Sequence, residues 1–175
     1  DTSKAAADLI CRSYSHTYKM DVVITRFVNI YGKGDVNWNR IIPGTIKSLI
    51  NNKKPIIRSN GKFKRDYLHI DDVVRGYLLI AKKLFNKNHL LSGKSINFGS
   101  NNPLSVIDVV KIILRKFKKK NNYYKILDKS KNEIKDQYSN YKLALKLLNW
   151  KPKIHINKGI NQLIDWYKEN WKKKL

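Results

Sequence analysis

The sequence predicts an α/β protein, on three observations. Amphipathic helical patterns alternate with short β-branched runs along most of the chain. Hydrophobic residues make up 42% of the 175 positions and aromatics 11%, enough for a core of its own and against disorder by composition. No internal repeat or linker appears, and no apolar run reaches the roughly 20 residues that span a bilayer.

Taken in order, residues 2–19 read as a helix favoured by Ala5, Ala6, Ala7, Leu9 and Ile10, with Thr2 or Ser3 available to cap it. Val22 to Phe27 is a β-branched run suited to a buried strand. Asn29 to Asp35, with Gly32 and Gly34, reads as a loop. Residues 40–51 give a second helical pattern, in which Pro43 is tolerable only in the first turn. Short strands are expected at Pro55–Arg58 and Tyr67–Ile70, separated by the turn Ser59-Asn60-Gly61. Asp71 and Asp72 are expected to cap a helix carrying Val73, Val74, Tyr77, Leu78, Ala81 and Leu84. A strand follows at Ser95–Phe98, and Ser105 with Asp108 forms a capping box before another helix. Residues 118–137 read as a polar surface excursion with one strand at Tyr123–Leu127. Helices at Tyr141–Leu148 and Lys158–Trp171 close the chain; Ile160, Leu163, Ile164, Tyr167 and Trp171 share one face of the last.

Charge is the unusual property: 37 Lys and Arg against 13 Asp and Glu, a net +24. Nucleic-acid binding would concentrate such charge in one patch with Arg and aromatics interleaved. Here Lys predominates and travels with Asn and Ile throughout, as in a drift of composition, and the dense runs Lys118–Lys120 and Lys172–Lys174 lie at a helix end and the C-terminus. Attraction of an anionic small substrate is the other use for the excess. The single cysteine, Cys11, excludes an internal disulfide and fits a reducing cytoplasm. Four scattered histidines give no metal-ligand spacing. No Gly-x-Gly-x-x-Gly phosphate loop is present.

Several segments, in order, resemble one family. Asp1 to Ile10 is similar to the stretch after the active-site tyrosine of extended short-chain dehydrogenases, the NAD-dependent epimerase/dehydratase family. There Tyr-x-x-x-Lys precedes small residues, so Lys4 takes the lysine's place and the tyrosine is expected directly before Asp1. Residues four apart on a helix share a face, and an ammonium there favours the phenolate. By itself, Lys4 reads as one more exposed lysine. Thr25 to Gly32 resembles the family's Arg-x-x-Asn-x-Tyr-Gly element, and Asn39 to Pro43 its basic-x-Ile-Pro element. Lys64 to Val73 resembles Arg-Asp-Tyr-x-His-Val-x-Asp; Asn97-Phe98-Gly99 with Ser105-Val106, Leu148 to Pro152, and Gly159 to Tyr167 match further elements. At Leu148-Asn149-Trp150, Asn stands where the family has Gly, and Asn tolerates the left-handed backbone such a turn needs. Tyr31 to Ile46, Ile57-Arg58 and Asp136-Gln137-Tyr138 are most similar to the CDP-glucose 4,6-dehydratase branch. That branch has Arg-Pro-Trp-Gln-His where this chain has Arg65-Asp66-Tyr67-Leu68-His69, which leaves the base open.

The resemblance implies the end of a Rossmann-type doubly wound parallel sheet in residues 1–29. A smaller α/β substrate-binding part is implied in residues 30–175, with the strand near 94–99 returning to the Rossmann sheet and the N-terminal NAD-binding half missing. It implies NAD as cofactor and a nucleotide-diphosphate sugar as substrate. Lys4 is then catalytic and cofactor-binding, and Asn29, Arg40 and Arg65 bind substrate, a guanidinium at Arg65 gripping the pyrophosphate bidentately. Asp66 and Asp72 are expected to orient the loop and cap the helix, and His69 to be packed. The implied reaction is a 4,6-dehydration: oxidation at C4, loss of water across C5–C6 and return of hydride to C6. A 4-epimerase is the alternative, and a basic nucleic-acid module a distant one. The whole enzyme is expected to be a cytoplasmic homodimer, without nucleic acid, membrane or metal; these residues alone are expected to be inactive, with exposed apolar surface.

Overall fold

β-branched runs too short to stand alone pair with distant partners in the computed structural model, which describes residues 2–86, 89–129 and 133–170. In chain order the helices are α1 (Thr2–Tyr18), α2 (Ile41–Ile50), α3 (Ile70–Phe85), α4 (Val106–Lys116), α5 (Lys142–Leu148) and α6 (Ile156–Asn170). Interleaved with them are the strands β1 (Ile24–Phe27), β2 (Asn29–Tyr31), β3 (Ile56–Ile57), β4 (Lys64–Arg65), β5 (Tyr67–His69), β6 (Ser95–Phe98), β7 (Leu104–Ser105), β8 (Lys125–Ile126) and β9 (Asp136–Gln137). The α/β reading holds. Trp171 and the Lys172–Lys174 run lie outside the described residues.

Pairing is mostly parallel. β1 runs beside β6 with Ile24 opposite Ser95, and β2 beside β5 with Asn29 opposite Tyr67. β3 pairs in parallel with β8, while β4 lies between antiparallel β7 and parallel β9. Two packed clusters result. One gathers α2, α4 and α6 around Ile46, Ile57, Val109, Ile113, Ile160 and Leu163. The other packs α3 and α5 on β1 and β6 around Leu68, Ile96, Phe98, Leu148 and Trp150. Leu9, Ile10, Tyr14 and Tyr18 on α1, with Tyr77, Leu78 and Phe85 on α3, remain exposed.

Several local expectations change. Residues 29–31 are a strand rather than loop, because β5 offers them a ladder that local sequence cannot reveal. The excursion at 118–137 carries β9 as well as β8 among its described residues. His69, not Asp71 or Asp72, caps α3: its Nδ1 accepts from the Asp71 amide at 3.2 Å. Asp71 and Asp72 instead sit in the first turn, where carboxylates complement the helix dipole. Tyr67, Leu68 and His69 on β5 are all buried. α6 begins at Ile156, two residues earlier than the periodicity suggests. The Ser105–Asp108 capping box forms as expected, and Asn149 adopts the left-handed conformation (φ 50°) that ends α5. No described helix is long and apolar enough to cross a membrane.

Candidate functional site

A cavity of about 570 Å³ opens between the Asn29–Arg40 segment, the start of α2, the end of β3 and β4. That volume suits a small organic ligand. Its wall is folded by short polar side chains. Gly34 supplies a left-handed turn (φ 83°), Asp35 Oδ1 accepts from the Asn37 amide at 3.1 Å, and Asn37 Oδ1 accepts from the Asn39 amide at 3.2 Å. This relay delivers Arg40 in extended conformation to the N-terminus of α2. Arg40 then donates to Asp35 Oδ2 at 2.9 Å and to the Ile30 carbonyl at 2.6 Å.

Arg65 reaches the same cavity from β4. Its Nη1 donates to the carbonyls of Lys64 (2.9 Å) and Lys135 (3.1 Å), and the guanidinium lies 5.8 Å over the Phe63 ring. Its Nη2 stands 3.7 Å from Glu133. Asn29 joins Arg65 through the neighbouring residue: both its backbone amide (3.1 Å) and its side-chain Nδ2 (3.3 Å) donate to the Asp66 carbonyl. Asp66 is in turn buried and accepts from the Ser100 amide and hydroxyl, which holds the β4–β5 junction against the end of β6.

Three of the four sequence-predicted site residues, Asn29, Arg40 and Arg65, therefore line one cavity. Lys4 does not; it is exposed on α1. A third guanidinium, Arg58, also lines the cavity and donates to Asn39 Oδ1 at 2.8 Å. Its position between a β-branched run and a Ser-Asn-Gly turn was the available signal. Asp35 and Glu133 gave none, because their partners are fixed by the fold.

Burial drives the Tyr67 phenol, on the cavity wall, up to about 12, against the lowering influence of Arg65 and Arg40. Burial, helped by the Asp72 charge, likewise raises Tyr31. His69 is 2% exposed and packs edge-on to Tyr31; burial lowers its pKa and keeps it neutral, as expected of a packed residue. The cavity thus sets three guanidiniums, Arg40, Arg58 and Arg65, against the carboxylates of Asp35 and Glu133, with a neutral phenol on its wall, a lining with positive charge in excess that suits an anion. Among the described residues no group of three or more His, Cys, Asp or Glu side chains could hold a metal ion.

Comparison with known proteins agrees with this architecture. Human dTDP-D-glucose 4,6-dehydratase is 33% identical over 177 residues, covering 97% of this chain and 48% of that protein. UDP-glucuronate 4-epimerase of Thermodesulfobacterium geofontis is 32% identical over 173 residues, covering 96% and 50%. The crystal structure of dTDP-glucose 4,6-dehydratase from Bacillus anthracis in complex with NAD superposes with a TM-score of 0.87 at 25% identity, covering 98% of this chain and 52% of that one. The chain spans about half the length of the relatives it matches. The sequence profile of the NAD dependent epimerase/dehydratase family matches residues 1–99, more than half of the chain, and the protein belongs to that family.

Proposed function

We propose that this chain forms the nucleotide-sugar-binding part of an NAD-dependent nucleotide-sugar dehydratase or epimerase, and more specifically of a 4,6-dehydratase acting on a CDP-glucose-like substrate. The observation that carries the proposal is the convergence of Arg40, Arg58 and Arg65 on one cavity beside Asn29. A sugar nucleotide's diphosphate is the ligand whose oxygens suit such forks. In this reading Arg65 grips the diphosphate, Asn29 and Arg40 orient it, and Arg58 binds farther along the nucleotide.

Residues 1–29 are proposed to end the NAD-binding domain and residues 30–175 to form mainly the substrate side. The parallel pairing of β6 with β1 supports assigning residues 95–98 to the same sheet as β1. The relatives' remaining half-length is the proposed source of the NAD site. It would cover the apolar faces of α1 and α3, and the 175 residues without it are proposed not to turn over. Bound NAD supplies reversible hydride acceptance from sugar C4. Lys4, on the exposed side of α1, is proposed to hydrogen-bond a ribose hydroxyl. It would also hold the proton-accepting tyrosine of the Tyr-x-x-x-Lys element as its phenolate. A homodimer in the cytoplasm is the proposed setting of the whole enzyme.

A 4-epimerase is the second reading, favoured by the 32% identity to UDP-glucuronate 4-epimerase. Thermal-shift titration of the intact protein with CDP-glucose, dTDP-glucose and UDP-glucose tests the proposal, since a ligand selective for the folded state raises its melting temperature. Stabilisation by a sugar nucleotide that is lost in Arg65→Met is expected. No stabilisation by any of the three, or full stabilisation in the variant, overturns the reading. Mass spectrometry of the product separates the two reactions: a product lighter by one water is a dehydratase's, and an isomer of unchanged mass is an epimerase's.

A further inference from the structure

The segment that carries Arg40 is shaped from within but placed from outside. Its own backbone bonds are short-range: the Asp35 amide donates to the Gly32 carbonyl at 3.4 Å, Trp38 to Val36 at 3.0 Å and Arg40 to Asn37 at 3.0 Å. Bonds that span two or three residues fold a loop without fixing where it lies. Two side-chain ties to its surroundings, Arg40 to the Ile30 carbonyl and Arg58 to Asn39, run through guanidiniums of the cavity itself. An anion that takes up those donors competes with both ties.

A third tie comes from outside the cavity. The hydroxyl of Tyr167, 132 residues further along, donates to the Asp35 carbonyl. Tyr167 is fully buried on α6, in the cluster that includes Ile160, Leu163 and Ile164, so its ring stands on a rigid support. The ring also meets Trp38 at 5.6 Å between centroids, and the Lys47 ammonium lies 4.5 Å over the Trp38 ring. Burial, helped by the Asp35 charge, raises the phenol above its ordinary range, so it remains a donor at neutral pH. The carboxylate of the same Asp35 accepts from the Asn37 amide and from Arg40. One residue thus joins α6, through its carbonyl, to Arg40, through its side chain.

Resting on the reading that Arg40 orients the substrate's diphosphate, we propose that Tyr167 is a positioning residue whose hydroxyl holds Asp35, and through it Arg40, where that diphosphate binds. The last helix thereby sets the affinity of a cavity that none of its described residues lines.

Calorimetric titration of the intact protein with CDP, dTDP and UDP, which carry the diphosphate but no sugar to react, tests this in wild type, Tyr167→Phe, Arg40→Met and the double variant. Each is titrated at a temperature where circular dichroism shows it fully folded. Tyr167→Phe keeps the packed ring and removes only the donor. It should weaken binding of the preferred nucleotide roughly three- to tenfold, the scale of one intramolecular hydrogen bond. The loss should largely vanish in the Arg40→Met background, because the two changes share one route. In turnover of the corresponding sugar nucleotide, KM should rise while kcat stays near wild type, a split that a smaller share of folded enzyme does not produce. Replacing Tyr167 with 4-aminophenylalanine, which restores an N–H donor on the same ring, should recover most of the affinity. Unchanged or tighter binding in Tyr167→Phe refutes the proposal. So does a loss that persists in full in the double variant, or one that the amine does not recover. Unchanged affinity in Arg40→Met overturns the reading beneath it, and the proposal with it.

Discussion

Replacing Asp72 with alanine should destabilise the protein by about 3–5 kcal/mol. Asp72 is 1% exposed, yet its carboxylate is fully employed. It accepts from the Lys153 amide through both oxygens (3.0 Å each), from the Ile154 amide at 2.9 Å, and from the Arg75 guanidinium. These bonds fasten the segment between α5 and α6 to the first turn of α3. Alanine would leave two backbone donors without an acceptor at about 1–3 kcal/mol each. Arg75 is a quarter exposed and can rehydrate, so its loss adds less than 1 kcal/mol or so. The total matches the usual cost of breaking a buried ionic group's network, about 3–5 kcal/mol. Asp72→Asn keeps one acceptor and should lose only about 1–3 kcal/mol. Urea denaturation of the intact protein, followed by tryptophan fluorescence, measures both. A loss below about 1 kcal/mol for Asp72→Ala would refute the reasoning, since it would mean that the amides of Lys153 and Ile154 find water or another acceptor at no cost.

Stability should also fall as pH drops below the ordinary imidazole value of 6.5, because burial holds folded His69 below it and the unfolded chain then binds the extra proton. The decline should level off beneath the folded value, and His69→Asn, which keeps a capping acceptor without a titration there, should flatten it in a urea series from pH 8 to 5. Gly159→Ala should cost about 1–3 kcal/mol, because a Cβ there would lie 2.3 Å from the Tyr31 hydroxyl and 2.8 Å from the His69 ring; chemical denaturation reads the loss. Asn149→Ala should cost about 1–2 kcal/mol by forcing alanine to φ 50°, whereas Asn149→Gly should stay within about 0.5 kcal/mol of wild type in the same assay.

The sequence by itself determined what depends on neighbours along the chain. Helical periodicity located α1 to α6 within a residue or two, and short β-branched or apolar runs located β1, β3, β5 and β6. The Ser105–Asp108 box and the left-handed Asn149 were equally legible, because a cap or a turn is satisfied within four residues. Ordered motifs also named Asn29, Arg40 and Arg65 and pointed to the family. Only the tertiary structure decided the two-residue strands β4, β7 and β9, which have no pattern of their own and exist because they lie side by side. It alone made His69 the cap of α3, tied Asp72 to a segment some 80 residues away, and put Arg58 and Glu133 in the cavity of Arg65. The physical reason is common to all of these. Hydrogen bonds and ion pairs between distant residues depend on which backbones the packed helices bring within about 3–4 Å, and that proximity is written in no local spacing.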